Sequence, residues 1–477
     1  MSLLNRFPQL EIIQSIASAR KISVYLVGGF LRDHILGISK TDFDFAVEKD
    51  ALKLAQIFAH KIKGAYVVLD KELRCARVVK YIHQEQYTFD FADFRAKTFA
   101  QDLNQRDFTI NTLAVNLDDL TRDQDICAIL IDKKQAIKDI ERQCIRQVSA
   151  HAFKDDPLRM MRAFSLRSTL GFKIEPKTLQ QVKKDKTLIK KVSYERITEE
   201  LFKVLKSSRT SEVLKEMDKV GLLEEIIPQA RIMFHCQQGG YHHLDVWHHS
   251  LEAVVQLERI LDGITDPEWK DYLNENLSGN RPRYALMKLA TLLHDIGKPE
   301  ARRKAGIKRF SFHGHEHIGR NIIRYVAKML KVSARERHIL EDMVLWHLRP
   351  GYLSNFKTPT EKAVYRYFRD TKEEAASILL LSLADQRATR GPLTTQKGQK
   401  HHEKICLSLA QKYFDKKKEK VFVRLIDGND LIKKIKLSPS PLFSEILSRV
   451  DEAQALGKIT TKKEALALAK KIAAQKD

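Results

Sequence analysis

The chain reads as an α+β protein, a small mixed sheet at the N-terminal end followed by a long all-helical body. Three observations carry that reading. Short β-branched runs alternate with amphipathic stretches in the first hundred or so residues, the pattern of a mixed domain. Beyond about residue 130 that alternation nearly disappears. From there on, apolar positions recur at helical spacing. A chain of 477 residues exceeds one ordinary core, so three or four packed units are expected.

The elements follow in order. "MSLLNRFPQLEIIQSI" reads as an amphipathic helix, "KISVYLVGG" and "DFDFAV" as strands, and "KDALKLAQIFAHKI" as a helix. "AYVVLD", "ARVVKYI" and "YTFDFADF" are three further strands. "DDPLRMMRAFSLRSTLG" is helical and ends at Gly171, a C-cap signal. "SYERITEELFKVLKS" opens on a serine N-cap candidate. "RIMFHCQQGGYHHLDVWHH" is a joint before another helix, and 272–284, "YLNENLSGNRPRY", reads as a polar surface loop. From about residue 400 the chain is lysine-rich and helical, interrupted at "LSPSPLF".

Composition narrows the function. Lys plus Arg number 84 against 61 Asp plus Glu, a net charge of +23. A surplus of that size favours a polyanion through counterion release. The basic runs 301–309 and 416–420 lie in different regions, as a long polyanion requires. No apolar run approaches the roughly 20 residues of a membrane span, and the N-terminus lacks a signal-peptide pattern. Five cysteines are scattered, odd in number and never spaced CxxC, as suits free thiols in a reducing cytoplasm.

Chemistry begins at "LVGGFLRDHILGISKTDFDFAV". Asp42 and Asp44 alternate with Phe43 and Phe45, so both carboxylates leave one face of the strand and the rings the other. Two carboxylates about 7 Å apart along a strand repel unless a cation intervenes. Mg²⁺ is the natural hard ion for oxygen ligands. Gly28 and Gly29 end the preceding strand and open a helix, where a backbone can approach phosphates. This is neither GxGxxG nor GxxxxGK[ST]. A phosphate cradle beside a carboxylate pair suggests nucleotidyl transfer with two metal ions. A third carboxylate is wanted, and Asp90 in "TFDFA" sits on another strand.

"LVGGFLRD…DFDF" followed by "RDFTIN" (106–111) resembles the polymerase β nucleotidyltransferase superfamily. It is more narrowly similar to class II tRNA nucleotidyltransferases and bacterial poly(A) polymerases. "DDPLRMMRAF" and "ERITEEL" (195–201) continue the family's order of motifs over roughly the first 200 residues. The resemblance implies that Asp42 and Asp44 hold the metals, with Asp90 as base or third ligand. Gly28, Gly29 and Arg32 would cradle the triphosphate of CTP or ATP, and Arg106 and Asp107 would meet its sugar and phosphates. Gln105 stands where the family has a further arginine. The segment between Asp90 and Arg106 is short, as in relatives that add only CC or only A.

Asp156 and Arg159, three apart, are expected on one helix face. Cytosine and adenine each present an amino donor beside a ring-nitrogen acceptor. A carboxylate accepts from the first and a guanidinium donates to the second. Uracil and guanine reverse that order and would leave both charges unpaired. Arg162, a turn further on, is a second candidate for nucleotide contact.

"ATLLHDIGKPE" places His294 and Asp295 side by side in an apolar segment. With His249, His315, His347 and Asp385 it forms an H…HD…H…H…D series that resembles the HD metal-dependent phosphohydrolases. Imidazoles and carboxylates suit Mn, Fe, Ni or Zn, one ion or two. His248, His313 and His317 read as bystanders. The C-terminal segment resembles that of HD-bearing family members, with Ser-Pro where Gly-Pro is usual.

The resulting expectation is a nucleotidyltransferase head over residues 1–135 and a helical neck over 136–235. An HD domain follows over 236–400, then a basic, tRNA-contacting tail over 401–477. The expected activity is template-independent addition of C, A or both to the 3′ end of tRNA from CTP or ATP. Bacterial poly(A) polymerase, and an HD phosphohydrolase with a non-catalytic head, are the alternatives.

Overall fold

The computed structural model describes residues 3–123, 125–306, 309–418 and 422–475. Ile307 and Lys308 of the first basic run, and Glu419 and Lys420 of the second, lie outside the described residues. The chain divides into two compact units, Met1–Ile226 and Ile227–Asp477.

The first unit is built on a six-stranded sheet. Its strands are β1 (Val24–Val27), β2 (Asp42–Val47), β3 (Ala65–Asp70), β4 (Cys75–Ile82), β5 (Glu85–Asp93) and β6 (Ala114–Asn116). They lie in the order β3-β4-β5-β2-β1-β6. β2 and β5 run parallel, and the remaining pairs are antiparallel. The phenylalanines of DFDF and TFDF set the register. Phe43 stacks on Phe89 at 5.1 Å and Phe45 on Phe91 at 4.8 Å. Phe58 of the helix Ala51–Ile62 closes edge-on against Phe89 at 5.0 Å. All five rings are buried, each contributing roughly 1.5–3 kcal/mol. With that face committed to the core, the aspartates must emerge on the other. A slip of one residue would bury the carboxylates and expose the rings.

Two short helices, Leu3–Arg6 and Gln9–Arg20, replace the single N-terminal helix expected, because Pro8 has no N–H to carry the first through. Below the sheet domain come the helices Leu158–Leu170 and Tyr194–Lys206, which pack on each other.

The second unit is helical. Val246–Asp262, Arg283–Leu293 and Ala375–Ala388 form its centre, with His315–Met329 against Ala334–Trp346. The segment 272–284 is not the loop expected. Asn276–Ser278 pairs with Arg281–Pro282 in a short hairpin, and Arg283 begins a helix. The reason is polar: Arg283 is buried and ion-paired to both Glu275 (2.7 Å) and Glu374. The C-terminal helices Leu442–Ala455 and Lys462–Ala473 share a small core around Leu431, Ile446, Val450 and Ile472. Among the described residues no helix is long and apolar enough to cross a membrane. All five cysteines are free.

Candidate active site and metal centre

In the first unit the carboxylate face of the sheet borders a cavity of about 550 Å³. It is lined by Gly28, Gly29, Arg32, Asp44, Asp90, Arg106, Asp107, Asp156, Arg159 and Arg162, all expected site residues. Asp42 and Asp44 are both exposed on this strand face; Asp42 lies outside the lining, where its carboxylate accepts from the Thr88 hydroxyl.

The parallel register sets Asp44 beside Asp90, with Cα atoms about 4.8 Å apart across the ladder. Asp90 is neutralised by a two-pronged pair to Arg77, whose Nε and Nη2 each donate at 2.7 Å. Asp44 has no such cation. Enclosure in the cavity, then the charge of Asp90, push its carboxyl up to about 6. Three neighbouring carboxylates form a donor set that fits hard divalent cations, as the nucleotidyltransferase fold implies.

Gly28 is held at φ +84° and ψ −144°, a region that side chains with a Cβ avoid. A Cβ there would stand 3.1 Å from Asp44 Oδ2. Its N–H donates to the Leu113 carbonyl at 3.2 Å. Gly28 therefore supplies room, with its amide directed at the Leu113 carbonyl.

Facing the carboxylates is a connected set of cations. Arg32 donates to Asp33 at 2.8 Å and to Asn111 Oδ1 at 2.5 Å. Asn111 in turn donates to Asp107 at 3.0 Å. Arg162 grips Asp107 through Nε at 2.9 Å and reaches Glu200 at 3.9 Å. Burial would raise the Asp107 carboxyl, but Arg162, Asn111 and the Phe108 amide outweigh it and hold it down at about 2. Arg106 pairs with Asp102 at 3.2 Å and leaves its buried Nε without a hydrogen-bond acceptor. An unmatched donor there suits an anionic ligand.

The placement of Asp156 and Arg159 corrects the one-face expectation. Pro157 disfavours helical backbone for the residue before it, and Asp156 is extended at φ −142° and ψ 102°. Its Oδ1 accepts from the Leu158 amide at 3.1 Å, just ahead of the helix. Arg159 lies in the first turn and donates to the carbonyls of Gln105 (2.5 Å), Ala152 (3.2 Å) and Arg106 (3.3 Å). The two side chains line one cavity from either side of a helix start rather than from one helix face.

In the second unit, His249, His294, Asp295 and Asp385 converge as one group, and Asp295, His315 and His347 as another, with Asp295 shared. The Nδ1 atoms of His294, His315 and His347 point at the carbonyls of Thr291 (2.8 Å), Phe312 (2.8 Å) and Val344 (2.7 Å). A carbonyl only accepts, so each Nδ1 carries a proton, and in the neutral ring each Nε2 presents a lone pair inward. His315 Nε2 then faces His347 Nε2 at 3.3 Å, acceptor against acceptor. His294 Nε2 and Asp295 Oδ1 are buried without hydrogen-bond partners, while Asp295 Oδ2 pairs with Lys298 Nζ at 2.6 Å. A metal cation resolves all of these conflicts, and the residues fit one. Gly297 makes the geometry possible, because a Cβ would come within 2.1 Å of the His315 carbonyl oxygen.

Residue-level reading overlooked several participants. Arg77 was findable. The two-residue turn His83-Gln84, both at positive φ, fixes the β4–β5 register and sets Arg77 opposite Asp90. Arg196, Glu200 and Lys203 share the face of one helix that lines the cavity. Lys298 pairs with Asp295 at 2.6 Å and donates to Gln238 at 2.6 Å. His242 packs edge-on against His249 at 4.7 Å. Only folding brings these together.

Three family models match the chain: the poly A polymerase head domain over 24–146, a probable RNA- and SrmB-binding site of polymerase A over 171–233, and the HD domain over 246–413. An A-adding tRNA nucleotidyltransferase of Deinococcus radiodurans is 30% identical, over 93% of this chain and 94% of that protein. The chain belongs to the tRNA nucleotidyltransferase family. A CC-adding family member from Thermus thermophilus is 28% identical over 92% of each chain. In fold, a Thermotoga maritima CCA-adding enzyme complexed with tRNA matches with a TM-score of 0.61 at 20% identity, over 98% of this chain and 95% of that one.

Proposed function

We propose that this family member adds C, A or both to the 3′ end of tRNA without a template, from CTP or ATP. The observation that carries the reading is a single cavity uniting the Asp44–Asp90 pair, the arginine cluster and the Asp156–Arg159 pair. The primer 3′-hydroxyl oxygen bonds to the α-phosphorus as the α–β bridging bond breaks, and pyrophosphate leaves with that electron pair. Asp42 and Asp44 are the residues to hold Mg²⁺, with Asp90 as base or third ligand. When bound, those ions supply charge that favours hydroxyl deprotonation and offsets the charge of the departing pyrophosphate. Gly28 and Gly29 leave room for the triphosphate, which Arg32, Arg106 and Arg162 meet with positive charge. Asp107 fixes the Arg162 guanidinium. Asp156 and Arg159 read the base edge.

The convergent imidazoles of the second unit support a further assignment, a site for Mn, Fe, Ni or Zn held by His249, His294, Asp295, His315, His347 and Asp385. A metal there would activate water against a phosphate ester. We assign nucleotidyl transfer to residues 1–135, base selection to 136–235, the metal site to 236–400 and tRNA contact to the basic tail 401–477. The free thiols and the substrate support a cytoplasmic location.

The test is a matrix of purified chain, each of CTP and ATP, and tRNA transcripts ending at the discriminator base, C or CC. Addition of one to three defined nucleotides is expected, and the transcript extended by each nucleotide assigns C, A or both. Long A tracts on generic RNA would replace the tRNA assignment with poly(A) polymerase.

A further inference from the structure

The neck helix Tyr194–Lys206 turns one face into the nucleotide cavity, Arg196, Glu200 and Lys203, at positions i, i+4 and i+7. Glu200 accepts from Ser165 and from Lys203 at 2.7 Å. Arg196 instead reaches across to the base-reading carboxylate, its Nη2 donating to Asp156 Oδ2 at 3.0 Å. Asp156 is thus gripped at both oxygens, by the Leu158 amide on Oδ1 and by Arg196 on Oδ2. A carboxylate has four lone-pair sites, so it still has capacity for the exocyclic amino group of cytosine or adenine.

The pair is poorly placed to serve the fold. The Arg196 side chain is 55% exposed and that of Asp156 32%, and ion pairs with such access to water add little stability. Arg196 also sits in the first turn of its helix, where the helix dipole disfavours a cation. Asp156 meanwhile lies on extended backbone outside any helix, so no helix face directs its side chain. The geometry points to Arg196 as a positioning residue for nucleotide selection. It aims the Asp156 carboxylate so that its free lone pairs meet the amino group of the incoming base. This rests on the reading of Asp156 as the acceptor for that amino group.

The experiment compares single-nucleotide addition by the full chain and by Arg196→Gln, Arg196→Lys and Asp156→Asn, with the preferred nucleotide and with UTP. Discrimination is taken as the ratio of the two kcat/KM values within one preparation, so any unfolded fraction cancels. Arg196→Gln is expected to raise KM for the preferred nucleotide about tenfold with kcat within about twofold, and to lower discrimination about tenfold. Arg196→Lys, which keeps the charge on a shorter reach, is expected to recover part of that loss. Wild-type discrimination in Arg196→Gln alongside its loss in Asp156→Asn overturns the role of Arg196. Wild-type discrimination in Asp156→Asn itself overturns the base-reading assignment beneath it.

Discussion

Gly28 offers the sharpest single perturbation of the head. Its φ of +84° and ψ of −144° cost a residue with a Cβ about 1–3 kcal/mol. A Cβ would also press on Asp44 Oδ2 from 3.1 Å, closer than relaxed contact, and the carboxylate must give by a few tenths of an ångström. Misplacing a catalytic group by about 1 Å costs roughly 100-fold in rate, so a shift of that smaller size is worth about tenfold. Gly28→Ala is therefore expected to lower the melting temperature by about 2–10 °C and kcat by about tenfold. KM for the nucleotide changes less, because the Gly28 amide is already bonded to Leu113. Circular-dichroism melting and primer extension with labelled CTP or ATP read both effects. Unchanged melting and unchanged kcat would refute the strained turn and its hold on Asp44 together.

Asp44 carries a linked pH effect. Its folded carboxyl is raised to about 6 by enclosure and by Asp90, above the unfolded value of about 3.9. The favourable contribution is therefore complete below about pH 3.9 and is lost as pH rises through 6. Asp44→Asn should stabilise the metal-free chain at pH 7 by on the order of 1 kcal/mol, discounted for the water in the cavity, measured by urea unfolding at pH 5 and pH 7. In the second unit, Asp295→Asn removes the carboxylate shared by both histidine groups. Elemental analysis should find the transition metal proposed for that site lost while nucleotide addition persists. Gly297→Ala, whose Cβ would meet the His315 carbonyl oxygen at 2.1 Å, should destabilise the second unit by about 3 kcal/mol or more, seen as an earlier unfolding transition.

Much of the head was legible because its signals are local. The alternation in DFDF and TFDF fixes which way each side chain points, and the paired phenylalanines of β2 and β5 bear this out. The histidine series was legible as a pattern of residue types, and folding gathers it around Asp295. The Asp156–Arg159 pair was legible as residues but not as geometry. Counting along a helix ignores what Pro157 does to Asp156, whose extended backbone places the carboxylate before the helix. Arg196 lies 40 positions from its partner, and Lys298 lies 60 from Gln238. Contacts at such separations depend on how helices pack, which no short pattern encodes.

In the proposed reaction, nucleotide addition runs through the carboxylates of β2. Primer extension on tRNA transcripts with Asp42→Ala and Asp44→Ala measures it most directly, alongside the metal content of the second unit. The 3′ addition of C or A is expected to disappear in both variants while that metal content stays at the wild-type level. Either variant keeping wild-type addition would contradict the proposed reaction.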